Sequence, residues 1–149
     1  MTRIRDLHQN PQHKNAEKTA FMSRLCFKKE GDNPLKTDWI NLSMQYVWLY
    51  QAMETRLNEL TQEGVIPAYL AYFNEEIWSM RSACLENDIS GMRFYLSGVE
   101  RQYLIKDNTL FPAMEKMIDV ISTADAITLF AFLSIRCLGD AYGGQALKG

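Results

Sequence analysis

The sequence predicts an all-α fold, and three observations carry that prediction. No segment alternates apolar and polar residues over the length of a strand. Apolar residues instead recur at spacings of three and four, most clearly at Trp39, Leu42, Tyr46, Leu49, Tyr50, Met53, Leu57 and Leu60, a stripe of about six turns. The breaks between such stripes carry helix-cap residues and prolines. Helices packed on helices around one core are the expected result, without repeats or low-complexity linkers.

Taken in order, residues 1 to 10 are polar, and Pro11 sits well in the first turn of a helix running to about Lys28. On it His13, Ala16, Glu17, Ala20 and Arg24 share one face, so His13 and Glu17 are neighbours one turn apart. Two readings of His13 are open: a surface histidine near a helix start, or an axial metal ligand steadied by a carboxylate. Lys28 to Pro34 is a loop by composition, Thr37 is the expected N-cap of the long helix, and that helix ends before Gly64. Its stripe is expected to be core, and Tyr46 and Tyr50 bring phenols into it that want hydrogen-bond partners.

Asn74-Glu75-Glu76 reads as a cap with acidic first-turn residues, opening a helix through Ile77, Met80, Cys84 and Leu85. Asn87-Asp88, Ser90-Gly91 and Ser97-Gly98 are expected to cut the next stretch into short pieces, with Phe94, Tyr95 and Leu96 as packing residues. Thr109 to Pro112 starts a helix carrying Leu110, Met114, Met117, Ile118 and Ile121, and Ser122 to Asp125 caps the last one. That last helix carries Ile127, Phe130, Ala131, Leu133 and Leu138, then meets Gly139, Gly143 and Gly144 with no polar cluster to mark a loop. Each internal glycine costs a helix about 1 kcal/mol relative to alanine. Either something flat lies against a backbone that lacks Cβ atoms there, beside Asp140, or Gly143-Gly144 ends the helix as a left-handed cap.

Composition limits the function. At 149 residues, 47% hydrophobic and 23% charged, the chain reads as one globular domain. A net charge of -2 gives no field for nucleic acid, and no apolar run reaches the ~20 residues of a membrane span. A soluble, cytoplasmic protein is expected. Cys26, Cys84 and Cys137 show no CxxC spacing and are expected as small core residues. No Glu-x-x-His pair, P-loop, GxSxG or HExxH occurs. Histidine-dependent chemistry must come from His13 or His8 on one side, with the Gly139–Gly144 segment on the other. A flat cofactor with one axial ligand suits that arrangement, and haem is the candidate.

Arg136-x-Leu138-Gly139-Asp140-x-x-Gly143-Gly144-Gln145 resembles the distal-helix signature of the haem oxygenase family, RYLGDLSGGQ. His13-x-x-Ala16-Glu17 with Phe21-Met22 looks like its proximal-histidine helix, and Tyr50-x-Ala52-Met53-Glu54 is similar to its second helix. Tyr72-Phe73-x-Glu75-Glu76 and Leu85-Glu86-x-Asp88 resemble its middle segment, so the resemblance covers nearly the whole chain in order. It implies a multi-helix haem-oxygenase-like bundle that cleaves haem to biliverdin, carbon monoxide and ferrous iron, using dioxygen and electrons from a reductase or ferredoxin. His13 would be the iron ligand, with Glu17 steadying its imidazole. Gly139, Gly143 and Gly144 would contact the cofactor. Asp140 would organise catalytic water, with Arg136 and Tyr50 behind it.

The sequence departs from the pattern at Ala141-Tyr142, where the family has Leu-Ser, and at Asp6 and Asn10, where it has basic residues. Against the family, residues 1–149 read as a single domain lacking the C-terminal helices. Helix faces left uncovered in that way lead us to expect a homodimer, or a monomer stabilised by haem. The same features are compatible with two other functions: a haem-binding module without turnover, and a helical interaction protein whose glycines serve close packing.

Overall fold

The computed structural model describes Pro11, residues 36–67 and residues 81–146, the side chains of 137–146 excepted. The chain divides into two compact units, Lys36–Tyr142 and Met1–Leu35 with Gly143–Gly149. All secondary structure among the described residues is helical: α1 Lys36–Gln62, α2 Arg81–Phe94, α3 Gly98–Arg101, α4 Pro112–Ser122 and α5 Ala126–Ala146. The helix expected from Pro11 to about Lys28, Pro11 itself excepted, and the Asn74-Glu75-Glu76 cap lie outside the described residues.

Helix α1 is the axis of the larger unit, packing along α2 and α4 and touching α3. It already includes Lys36, so Thr37 is a buried first-turn residue and not the expected cap. Its end is as the sequence predicts. Gly64 takes φ +72°, a conformation that costs glycine nothing, and the Val65 and Ile66 amides donate to the Leu60 carbonyl at 3.0 and 3.1 Å. Ile66 folds back into the core beside Leu60.

The stripe along α1 holds for its C-terminal half and shifts in its N-terminal half. Leu49, Tyr50, Met53, Leu57 and Leu60 are buried with Ile66, Ile121, Ala124, Leu129 and Leu133. Earlier in the helix the buried residues are Ile40, Met44 and Val47, packed with Ile89 and Leu96, whereas Trp39 is exposed and Leu42 and Tyr46 are half-buried. The cover differs between the two ends: Ile89, Met92, Leu96, Leu104 and Ile105 pack on the first, and residues of α4 and α5 make up most of the cover on the second.

Helix α2 departs from the sequence expectation. It runs unbroken through Asn87-Asp88 and Ser90-Gly91 to Phe94. Leu85, Ile89 and Met92 form its own 4-3 stripe against α1, and that burial outweighs the local cost of one exposed glycine. Glu54 fixes the helix further, accepting from the Ser82 hydroxyl at 2.6 Å and from its amide at 3.2 Å. Of the three expected packing residues only Leu96 is buried; Phe94 and Tyr95 project into solvent, edge to face at 5.4 Å. Cys84 is exposed on α2, not a core residue.

Ser97-Gly98 does break the chain. Ser97 and Glu100 form a reciprocal capping box at the start of α3, and the Ser97 amide and hydroxyl, with Lys36 nearby, hold the Glu100 carboxyl below its ordinary value. Phe111 and Pro112 open α4, which turns Met114, Ile118 and Ile121 inward and leaves Met117 exposed. Asp125 caps α5 by accepting from the Thr128 amide at 2.7 Å, which lowers its carboxyl pKa. Arg56 ties this corner to α1, donating from Nε to the Ala124 carbonyl at 2.9 Å while pairing with Glu59. Leu129 and Leu133 then enter the core, while Ile127 is 82% exposed.

Helix α5 is continuous to Ala146, so Gly143-Gly144 does not end it, and Gly139, Gly143 and Gly144 are all interior positions.

Candidate functional site around Arg136 and Tyr50

Tyr46 and Tyr50 are one turn apart on α1 and therefore present their rings on one face. Arg136 reaches that face from α5, which Leu129 and Leu133 anchor to the core shared with Leu49, Tyr50 and Met53. Its guanidinium carbon lies 4.4 Å from the centre of the Tyr46 ring and 5.8 Å from that of Tyr50, within cation–π range. Its Nη2 donates to the Tyr50 Oη at a long 3.4 Å.

Two physical features make this contact possible. The guanidinium is planar and weakly hydrated, so it lies against an aromatic face at less desolvation cost than an ammonium. The Tyr50 ring is buried, with an exposure of 2%, which ties its phenol oxygen to one place. With Oη accepting from Arg136, its O–H is the donor toward any further acceptor. The result is a positive charge and a phenol held together, 86 residues apart in sequence, on a rigid apolar floor.

Of the residues singled out from sequence, the structure thus brings Tyr50 and Arg136 into contact. Asp140 lies one helical turn beyond Arg136 on α5, and Gly139 and Gly143 are also one turn apart on that helix, sharing a face of it. The side chain of Asp140 lies outside the described residues, as do His13 and Glu17 entirely. Tyr46 is the participant that sequence reasoning noted with Tyr50 as a phenol in the core stripe but did not connect with Arg136. The signal that could have found it was two phenols at i and i+4 on a helix whose other stripe positions are mostly aliphatic.

Among the described residues, no group of three or more His, Cys, Asp or Glu side chains converges as a metal site, and no helix is long and apolar enough to cross a membrane. Neither a protein-family model nor a curated protein nor a solved structure matches the chain.

Proposed function

We propose that this protein is a haem oxygenase, cleaving haem to biliverdin, carbon monoxide and ferrous iron with dioxygen and electrons from a reductase or ferredoxin. The observation that carries the proposal is the run Arg136-x-Leu138-Gly139-Asp140-x-x-Gly143-Gly144-Gln145, which falls on one continuous helix. A helix kept intact through three glycines needs a reason, since each disfavours it locally. Gly139 and Gly143 are one helical turn apart, about 6 Å along the axis, so a planar group lying against that stretch of α5 would meet no Cβ at either position. That spacing is what supports haem in this reading.

Haem is both cofactor and substrate here, supplying the iron that activates dioxygen and the macrocycle that is opened. In this reading His13 would ligate the iron, and Glu17, four residues on in the sequence, would steady its imidazole. Asp140 would order water near bound dioxygen and hand protons on through it, as a carboxylate does without ligating metal. Arg136 and Tyr50 act one step further back. Their contact holds a cation against a phenol between α1 and α5, from which the two would support the water network behind Asp140. They are positioning residues in this scheme. A cytoplasmic location accords with the lack of a membrane-length apolar helix among the described residues.

The test is haemin titration of the full chain, followed spectroscopically before and after reductant. A histidine-ligated spectrum is expected, lost in His13→Ala and kept in His8→Ala. With a reductase, Asp140→Ala should keep haem affinity and lose most biliverdin formation. Haem binding without turnover in the parent chain would identify a binding module instead, and no haem binding would leave a helical interaction protein.

A further inference from the structure

On α1 and α2, away from the Arg136 contact, lies an unassigned groove of about 370 Å³. It is at the small end of the range, roughly 300–1,000 Å³, that holds organic ligands. Buried Met44, Val47 and Ile89 form its floor, and Trp48, 37% exposed, forms a flat aromatic wall. Positions 86 and 93 of α2 both line it, so it runs about 10 Å along that helix. One end is Gln51 donating to Glu86 at 2.9 Å. The other end is Arg93.

Arg93 is incompletely satisfied. Its Nη2 meets the Met44 sulfur at 3.1 Å, a weak acceptor, and the Asp107 carboxylate. Its Nε is buried and has no hydrogen-bond partner. The carboxylate that Arg93 does hold belongs to a side chain 74% exposed, on a turn. Arg93 and Asp107 also border a second hollow of about 330 Å³, into which Arg101 and Lys106 bring two more cations. A guanidinium with one donor unused, in a hollow lined by three cations and one exposed carboxylate, favours further negative charge at this end. The floor and the indole favour an apolar body along the middle of the groove, short of the Gln51–Glu86 end.

We propose that this groove binds a small amphipathic carboxylate, its apolar part on Trp48, Val47 and Ile89 and its carboxylate on Arg93 in place of Asp107. Asp107 is the internal stand-in for the ligand's head group. A ligand carboxylate takes over the Nη2 contact, and with Asp107 displaced the guanidinium is free to turn its Nε–Nη2 edge toward the ligand, so the exchange can add the hydrogen bond that the buried Nε lacks. The proposal is independent of haem binding.

The probe is 4-phenylbutyrate, with 4-phenylbutanol as its uncharged counterpart, titrated into the full chain by calorimetry. The acid should bind about tenfold or more tightly than the alcohol, since only it engages Arg93. Asp107→Asn, which removes the competing carboxylate, should tighten the acid by roughly threefold to tenfold and leave the alcohol unchanged. Arg93→Met should abolish the preference for acid over alcohol. If that variant does not fold, the Asp107→Asn result decides. Equal affinity for acid and alcohol, no binding of the acid by either the parent or Asp107→Asn, or an unaltered acid affinity in Asp107→Asn would each overturn the proposal.

Discussion

The two halves of α1 are the same helix doing different physical work. From Leu49 to Leu60 it buries a regular aliphatic stripe against α4, α5 and Ile66. From Ile40 to Val47 it packs a smaller cluster against α2 and uses amides to hold the connection that leads from α3 into α4. Asn41 donates to the Tyr103 carbonyl at 3.1 Å and accepts from the Ile105 amide at 3.0 Å. Gln45, one turn on, donates to the Thr109 carbonyl and accepts from the Phe111 amide, both at 2.8 Å. A connection with few helical bonds of its own is satisfied by two side chains that each both donate and accept. The larger core of one half is joined by bonds to helix starts, Glu54 to Ser82 and Arg56 to Ala124, whereas the smaller core of the other is joined by bonds that specify the path of a connection. The candidate Arg136 contact straddles the boundary between the two, at Tyr46 and Tyr50, and the groove at Arg93 opens beside the second.

That contrast can be broken most strongly in the aliphatic half. Leu57 is 2% exposed in the core, and Leu57→Ala should cost about 2–5 kcal/mol in denaturant unfolding, the usual toll of a buried leucine. A loss under about 1 kcal/mol would mean that this core collapses around the gap and is not tightly packed.

The amide half should fail differently. Gln45 is fully buried, and Gln45→Leu strands the Thr109 carbonyl and the Phe111 amide, for roughly 2–4 kcal/mol. The distinguishing readout is hydrogen exchange. Amides of residues 103–111 should lose protection in Gln45→Leu and keep it in Leu57→Ala at matched stability.

At the candidate site, Tyr46→Leu keeps apolar bulk and removes the ring beneath Arg136. A loss of about 0.5–2 kcal/mol is expected, and it should nearly vanish when the change is made in an Arg136→Met background. An undiminished effect in the double variant would show that Tyr46 contributes by packing alone.

The smallest effect is a pH dependence at the α5 cap. The Thr128 amide lowers the folded pKa of Asp125 below its ordinary value of 3.8, so the cap's stabilisation is complete above that value and is lost as pH falls through the folded one. Asp125→Asn, which caps without titrating, should flatten part of the acid limb of stability against pH and leave the slope near neutrality unchanged. An identical acid limb in both proteins would show that Asp125 does not contribute.

Sequence by itself determined most of the fold's vocabulary. The 4-3 stripe from Leu49 to Leu60, the stop at Gly64, Pro112 at the start of α4 and Asp125 at the start of α5 were all legible, because each depends on residues within a turn or two of one another. So was the unusual glycine content of α5. Only the tertiary structure decided that α2 survives Ser90-Gly91, that Trp39 faces out and Ile40 in, and that α5 continues past Gly144. The first two depend on which neighbour covers which face, and burial against that neighbour exceeds the fractions of a kcal/mol that set local propensity. The same holds for Arg136 over Tyr46 and Tyr50, and for Gln45 and Arg93. A side chain's partner 14 to 86 residues away has no local signature, since only folding brings the two within hydrogen-bond reach.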